Sequence, residues 1–162
     1  MSLAIIREEH WSAIVRVQAE AYTDIVPESL ETLRSKWLRS PSLCFVYQAQ
    51  NEVLAYLLAH AWHSQTPPKL YETLSGGSDG GDILFLHDLA VGRAGAGKGI
   101  GRQMVQHLLG LAAAQNFQHM LLVAVQNSVP FWEQFGFTPV ANSQPSRSYG
   151  ADARLLSRPL NA

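Results

Sequence analysis

The sequence predicts one domain over residues 1–162, of the α/β class in its α+β form, built on a mixed β-sheet. A chain of 162 residues is long enough to bury one sizeable core. Its composition, 47% hydrophobic and 15% charged, is that of a globular protein slightly light in charge. A β-rich hairpin comes first and a strand–helix–strand–helix order follows, so both antiparallel and parallel strand pairs are expected.

The first part of the chain predicts a strand, two helices and a hairpin. Apolar residues at helical spacing follow a short apolar run, and they recur after Pro27. Two β-rich runs are then joined by the tripeptide 50–52, as in an antiparallel hairpin. The predicted bounds are 3–7 for the strand, 8–22 and 27–38 for the helices, and 43–49 and 53–62 for the hairpin strands.

The second part of the chain begins with one long loop and continues with alternating strands and helices. Residues 64–81 are rich in Pro and Gly, and a loop of that length is expected either to face a substrate as a lid or to be poorly ordered. The remaining predicted elements are a strand at 82–91, a helix at 99–115, a strand at 119–125, a helix at 129–135 ended by Gly136, and a strand at 153–160.

Charge and cysteine content narrow the function classes. The formal net charge of −1 gives no general basic field, so no nucleic-acid partner is predicted. The single Cys44 excludes an internal disulfide and a cysteine-rich zinc site, and it is interpreted as a small core residue. No run reaches the roughly 18 apolar residues of a membrane span, and the first apolar run is too short for a secretory signal. A cytoplasmic protein without membrane or metal partners is expected.

The most informative stretch is the glycine-rich segment 90–109, AVGRAGAGKGIGRQMVQHLL, which joins a predicted strand to a predicted helix. Small residues at a helix N-terminus let backbone N–H groups approach an anion. A P-loop is disfavoured, because Gly99 occupies the position of the hydroxyl that would bind magnesium. The dinucleotide fingerprint G-x-G-x-x-G fails from every starting glycine.

The segment resembles the acetyl-CoA loop of the GNAT superfamily of N-acetyltransferases, which commonly reads V-x-P-x-x-[QR]-x-x-G-[ILV]-G. Val91 and residues 99–101 match this pattern. Arg93 and Ala96 depart from it, at the usual Pro and the usual Gln or Arg. The working part of the loop is interpreted as 97–101, with Gly92 and Gly95 as a flexible lead-in.

A second match lies about 25 residues downstream and makes the resemblance more specific. The segment 123–137, VAVQNSVPFWEQFGF, is similar to the family's strand followed by N-x-x-x-x-[FY]-Y-x-x-x-G-F. Together the two motifs imply that the following residues bind the cofactor: Leu89, Ala90, Val91, Ala96, Gly97, Lys98, Gly99, Ile100, Gly101, Arg102, Asn127, Phe131 and Trp132.

The resemblance implies both a fold and a reaction. The fold is a mostly antiparallel sheet of six to seven strands with a central, splayed parallel pair and about four flanking helices. The reaction is direct transfer of an acetyl group from acetyl-CoA to a primary amine, and a small-molecule amine is favoured over a protein N-terminus or lysine. An alternative is a non-catalytic acyl-CoA-binding domain, and a homodimer is left open.

Three residues are candidates for catalysis. His87 lies where some arylalkylamine-acetylating members of the family place a histidine base, and imidazoles titrate near neutral pH. Strand alternation predicts that Asp88, a candidate for attracting a cationic amine, faces the opposite side of the sheet. Many members protonate the departing thiolate with a tyrosine at the position of Trp132, whose indole is no usable acid. Tyr149 is a candidate replacement if the last segment folds back across the notch between the splayed strands.

Other conspicuous side chains receive modest interpretations. His60 and His63 are not expected to form a metal site. Core packing is favoured over lining of the acceptor pocket for the early aromatic residues Trp11, Tyr22 and Trp37. A set of acidic residues favours a cationic amine: Asp24, Glu28, Glu72, Asp79 and Asp82.

Overall fold

The computed structural model describes residues 2–23, 26–74, 81–141, 145 and 147–160, which form one seven-stranded sheet with four α-helices. The strands are β1 (Ser2–Ile5), β2 (Phe45–Ala49), β3 (Glu52–Trp62), β4 (Ile83–Val91), β5 (His119–Ala124), β6 (Thr138–Pro139) and β7 (Arg154–Pro159). The helices are α1 (Trp11–Ala21), α2 (Leu30–Arg39), α3 (Ile100–Ala114) and α4 (Val129–Glu133).

The sheet has the strand order β1-β2-β3-β4-β5-β7-β6. Every neighbouring pair in the described sheet is antiparallel except the central pair β4–β5, which is parallel. Helix α3 makes the crossover between these two strands, as parallel connections require. The predicted mixed, mostly antiparallel sheet with a central parallel pair is therefore confirmed.

The central strands separate beyond their first four residues. Pairing between β4 and β5 runs only from Ile83 opposite His119 to Leu86 opposite Leu122. Beyond that point β4 stays paired with β3, and β5 stays paired with β7. The sheet consequently opens into a notch whose walls are the ends of β4 and β5.

The core has one layer on each face of the sheet. On one face, α3 contributes Met104, Val105 and Leu108 to a cluster that also holds Trp132. On the other face, α1 and α2 pack over β3 through a second cluster that includes Ile14. Each fully buried side chain of this size stabilises the fold by about 1.5–3 kcal/mol.

Helix α2 begins later than the sequence predicts. Ser29 caps it, because the Thr32 N–H donates to the Ser29 Oγ at 3.1 Å. Pro27 and Glu28 therefore precede the helix and belong to the loop after α1. Strand β6 was not predicted, because two residues that include a proline carry no periodic signal. None of the helices in the described ranges has the length and apolar composition needed to cross a bilayer.

Candidate active site

A cleft of about 490 Å³ occupies the notch between β4 and β5. Its walls are the end of β4, the loop that leads into α3, the turn after β5 and the start of α4. All the predicted cofactor residues line the cleft except Lys98 and Asn127. Lys98 is exposed, and Asn127 is an exposed residue in a left-handed turn with φ of 60°.

The loop presents backbone rather than side chains to the cleft. Gly97 and Gly99 have φ of 76° and 73°, which L side chains rarely adopt, and Gly99 is the N-cap of α3. No side chain caps this helix. The first N–H groups of a 15-residue helix are thus available to an anion at this end of the cleft.

The interpretation of Gly92 and Gly95 as a flexible lead-in is wrong. The Gly92 N–H donates to the Leu54 carbonyl at 2.8 Å. Gly95 is buried, and a Cβ there would lie 2.9 Å from the Cδ1 of Ile100. These glycines therefore let the loop pack closely against β3 and α3, which fixes the segment that follows.

Trp132 is a packing residue. Its ring is buried and lies 5.0 Å from the Phe131 ring and 5.8 Å from the Phe137 ring, measured between centroids. Its Nε1–H donates to the Ser128 Oγ at 3.2 Å, which closes the first turn of α4. The indole forms part of the cleft wall, with its single donor already used inside the protein.

A β-bulge brings His87 and Asp88 to the same face of the sheet. Leu58 of β3 pairs with Asp88, but its neighbour Ala59 pairs with Leu86, so His87 is an extra residue in β4. The prediction that His87 and Asp88 face opposite sides is therefore wrong. Regular alternation is interrupted at this position, where β4 begins to leave β5.

The His87 imidazole forms a buried pair with Glu28. The Nε2 of His87 lies 2.7 Å from the Glu28 Oε1, and the two side chains are 1% and 4% exposed. The Nδ1 of His87 is buried and has no hydrogen-bond partner among the described residues. A neutral imidazole that donates from Nε2 to a carboxylate carries its lone pair on Nδ1. The arrangement suits a base held in one tautomer.

Glu28 is fixed from several directions. Its backbone N–H and carbonyl both bond to the Gln18 side chain, at 3.0 and 3.1 Å, and its Oε2 accepts the Tyr71 N–H at 2.8 Å. Burial acts to raise the pKa of the Glu28 carboxyl. The imidazole of His87, the Tyr71 N–H and the Lys36 ammonium outweigh burial and hold that pKa below its usual value. Glu28 is therefore a carboxylate next to His87.

Asp88 is a buried carboxyl group between two phenols. The Tyr22 hydroxyl donates to its Oδ1, and the Tyr56 hydroxyl donates to its Oδ2. Burial raises the pKa of Asp88 to about 6, against the opposing influence of the His87 imidazole and the two hydroxyls. The Tyr22 hydroxyl also lies 3.0 Å from the Leu89 carbonyl oxygen.

Tyr149 lies across the same region from the C-terminal segment. Its hydroxyl donates to the Pro68 carbonyl, and its side chain is buried. Burial raises the pKa of this phenol well above its usual value. The neighbouring Ser148 Oγ accepts the Leu70 N–H at 3.0 Å, so the segment 68–74, called the strap below, is tied to the C-terminal segment. The predicted fold-back of the last segment brings Tyr149 toward His87 and Asp88.

These side chains surround a compact chamber of about 50 Å³ beside the cleft. Its polar lining consists of Gln18, Tyr22, Glu28, His87, Asp88 and Tyr149. Its apolar lining consists of Val26, Pro27, Leu70, Val123 and Val125. The residues that line both the chamber and the cleft are Tyr22, His87, Asp88, Val123 and Val125.

The remaining predictions concern residues around this site. Of the acidic set, Glu28 lines the chamber; Glu72 and Asp82 are exposed and outside its lining, and Asp24 and Asp79 lie outside the described residues. The role of Glu28 was missed, because its partner His87 is 59 residues away. Tyr22 was assigned to the core, yet its hydroxyl reaches Asp88.

Two further predictions concern packing and metal binding. Cys44 is a buried core residue, and burial raises the pKa of its thiol to about 12. The described part of the chain contains no group of three or more His, Cys, Asp or Glu side chains suited to a metal ion. His60 is fully buried and its pKa is lowered to about 3, chiefly by burial, so this imidazole stays neutral.

Comparison with known proteins relates this arrangement to a family. The family model described as "Acetyltransferase (GNAT) family" matches residues 11–137, most of the chain. A search of curated proteins finds no match.

Solved structures share the whole fold. The loading GNATL domain of CurA from Lyngbya majuscula has a TM-score of 0.79 at 10% identity, covering 98% of this chain and 97% of that one. The ribosomal-protein-S18-alanine N-acetyltransferase from Escherichia coli has a TM-score of 0.72 at 16% identity, covering 99% and 94%. The PaiA N-acetyltransferase from Thermoplasma acidophilum, solved with coenzyme A, has a TM-score of 0.68 at 14% identity, covering 98% and 99%. Identities this low establish the fold alone.

Proposed function

Because the chain belongs to the GNAT family of acetyltransferases, we propose that it transfers the acetyl group of acetyl-CoA to the nitrogen of a small primary amine. One observation carries the proposal: the cleft and the chamber meet at His87 and Asp88. Two substrates bound in the two cavities would have their reacting ends beside a base and a carboxyl group. Such positioning is the main requirement of a direct transfer between them.

The cleft is assigned to acetyl-CoA. The pyrophosphate would lie at the N-terminus of α3, where the N–H groups beyond Gly99 have no side-chain cap. The part of β4 that has left β5, from His87 to Val91, offers backbone groups to the amide-rich pantetheine arm. This placement would direct the thioester toward the junction of the two cavities.

The chamber is assigned to the amine. The Glu28 and Asp88 carboxyl groups face it and favour a cation, while its small volume and the strap across it favour a compact amine over a peptide. His87 would remove the proton from the ammonium through Nδ1, since its Nε2 is bonded to Glu28. The neutral amine then attacks the thioester carbonyl carbon and displaces CoA.

The direct test is the release of free CoA thiol across a panel of amines. The panel contains short alkylamines, arylalkylamines, a neutral aromatic amine and a short peptide with a free N-terminus. We expect a compact cationic alkylamine to raise thiol release at least tenfold above hydrolysis, and the peptide to be a poor acceptor. Preferred turnover of the peptide would overturn the assignment to a small amine.

A second candidate function is a domain that binds acyl-CoA without catalysis. It is favoured because Trp132 stands where the family pattern has a tyrosine. Calorimetry with acetyl-CoA separates the two functions when it is combined with the thiol assay. Binding of acetyl-CoA with no amine-stimulated release of thiol would establish the binding domain and remove the enzyme.

A further inference from the structure

The proposed reaction leaves one proton transfer without a residue. When the carbon–sulfur bond breaks, the CoA sulfur needs a proton, and Trp132 offers only an indole N–H that is bonded to Ser128. Two phenols line the chamber, those of Tyr22 and Tyr149. Their positions relative to the cleft distinguish them.

Tyr149 is placed on the chamber side. Its hydroxyl donates to the Pro68 carbonyl, a group that has no proton to return, and this bond holds the strap against the C-terminal segment. The residue lines the chamber and is absent from the lining of the cleft. Its position suits contact with the amine and closure of the chamber, and it does not place the phenol against a thioester.

Tyr22 is placed at the boundary. It is the C-cap residue of α1, it is half-buried, and it lines both the cleft and the chamber. Its hydroxyl lies against Asp88 and 3.0 Å from the Leu89 carbonyl oxygen. Leu89 belongs to the part of β4 that has left β5, along which the proposed function places the pantetheine arm.

We propose that Tyr22 is the residue that protonates the CoA sulfur, and that Asp88 returns a proton to Tyr22 in the same event. This inference rests on the proposed function, because it assigns a step of that reaction. It transfers the tyrosine role from the helix that carries Trp132 to the end of α1, which packs on the opposite face of the sheet.

Attack of the neutral amine gives a tetrahedral intermediate with a positively charged nitrogen and a negatively charged oxygen. The carbonyl re-forms as the carbon–sulfur bond breaks, and the electron pair of that bond leaves on sulfur. Asp88, whose two oxygens accept the Tyr22 and Tyr56 hydroxyls, first takes the proton of the charged nitrogen. Sulfur then takes the Tyr22 proton while the Tyr22 oxygen takes that proton from Asp88. The products are the amide and the free thiol of CoA, and Tyr22 and Asp88 return to their starting states.

The hydrogen bond to Asp88 allows the buried phenol of Tyr22 to act as an acid. Burial, followed by the charge of Asp88, raises the pKa of Tyr22 well above its usual value, so an isolated phenolate at this position would be unfavourable. The relay avoids that species, because Asp88 supplies a proton as Tyr22 gives one up. The pKa of Asp88 is raised to about 6, which is closer to neutral pH than the pKa of an exposed aspartate and suits a group that takes up and releases a proton. Tyr56 holds the second Asp88 oxygen and orients the carboxyl group.

The test compares Tyr22→Phe with the matched variant Tyr149→Phe, using the best amine from the panel. We expect Tyr22→Phe to lower kcat with acetyl-CoA by roughly 10²-fold, the scale of general acid catalysis, with the acetyl-CoA Kd within about twofold of wild type. We expect Tyr149→Phe to act chiefly on the KM of the amine. A Tyr22→Phe enzyme with kcat within twofold of wild type would overturn the relay.

Thioester donors with different leaving groups distinguish a chemical role of Tyr22 from a structural one. S-acetyl-N-acetylcysteamine has an alkylthiol leaving group, and S-(4-nitrophenyl) thioacetate has a much more acidic arylthiol that departs without a proton. We expect the Tyr22→Phe defect to persist with the first donor and largely to disappear with the second. An equal defect with both donors would make Tyr22 a structural residue.

A second variant tests the relay as a unit. Asp88→Asn keeps a side chain of the same shape and removes the ability to exchange a proton. Because residues that act in one step are not additive, we expect the double variant Tyr22→Phe/Asp88→Asn to be no slower than the slower single variant. Multiplied defects would contradict a shared step. Absence of amine-stimulated thiol release in the wild type would instead remove the proposed function itself.

Discussion

The cleft and the chamber are built in opposite ways. The part of the cleft to which we assign the phosphate groups is a short continuous segment, 97–101, which presents backbone N–H groups at a helix N-terminus. The chamber takes its polar side chains from α1, the loop after α1, β4 and the C-terminal segment. A ligand held by backbone is compatible with many sequences, whereas a ligand held by assembled side chains depends on each of them. We therefore expect cofactor binding in the cleft to tolerate changes of sequence better than the choice of acceptor in the chamber.

The largest expected effect on activity is that of replacing His87 in the chamber, and this change should leave acetyl-CoA binding in the cleft unaltered. We expect His87→Gln to lower kcat/KM at neutral pH by roughly 10²–10⁴-fold, because the variant removes the base. Calorimetry should give an acetyl-CoA Kd within about twofold of wild type. His63→Gln, an exposed histidine just beyond β3, is the matched control and should be fully active. An unchanged pH–rate profile in His87→Gln would rule out its role as base.

Asp88 gives a pH test of the chamber that does not depend on turnover. Its pKa is raised from 3.8 in the unfolded chain to about 6 in the fold, so the folded state binds the proton more tightly. The contribution of this group to stability is therefore complete below about pH 4 and is lost as pH rises to about 6. That loss is on the order of 3 kcal/mol at 1.36 kcal/mol per pKa unit.

Urea unfolding at pH 4 and pH 7 measures this effect. We expect Asp88→Asn to be more stable relative to wild type at pH 7 than at pH 4. A difference between the two proteins that does not vary with pH would show that Asp88 titrates normally.

The corresponding test of the cleft changes its backbone. Gly99→Val places a β-branched residue at φ of 73°, a conformation that costs about 1–2 kcal/mol for an L residue. We expect the loop to shift and the acetyl-CoA Kd to rise roughly tenfold. Gly110→Ala in the middle of α3 is the control: it has open space for a Cβ, and we expect unchanged affinity and slightly higher stability. Equal affinities in the two variants would contradict the backbone-held phosphate.

The smallest expected effect concerns a charged side chain of the same loop. Lys98 is exposed and does not line the cleft. We expect Lys98→Ala to change the acetyl-CoA Kd by less than about threefold at 0.15 M salt, where exposed charges are screened. A tenfold loss would show that the loop holds phosphate through its side chains and would remove the contrast with the chamber.

The same contrast explains what sequence predicts and what it does not. The glycines of 97–101 and the hydrophobic periods of α3 and β5 act within a few residues, so the cleft could be located from local patterns. The bulge at His87 could not be predicted, because the sequence ILFLHDLAV fits a regular strand and a bulged strand equally well. Only the partner strand fixes the register, through Leu58 opposite Asp88 and Ala59 opposite Leu86.

Long-range pairs account for the other missed features. Glu28 meets His87 across 59 positions and Tyr149 meets Pro68 across 81, and no local pattern encodes such contacts. Tyr22 shows a related difficulty, because an aromatic residue at helical spacing looks like core whether or not its hydroxyl finds a partner. The sequence therefore points to Tyr149 as the replacement for the family's tyrosine and gives no sign that the phenol of Tyr22, at the end of α1, lies in the same site.

The bulge in β4 also predicts how the protein would respond to the deletion of one residue from this strand. Deleting one residue at position 87 or 88 would leave a strand that still pairs regularly with β3 and still fills the sheet. The bulge directs the side chains of two adjacent residues to the same face of the sheet. After such a deletion, only one residue would remain in their place. A chain one residue shorter would therefore keep its architecture and lose either the imidazole or the carboxyl group from the junction. Under the proposed function, a single peptide unit in β4 would thus separate an active enzyme from an inactive protein of the same fold.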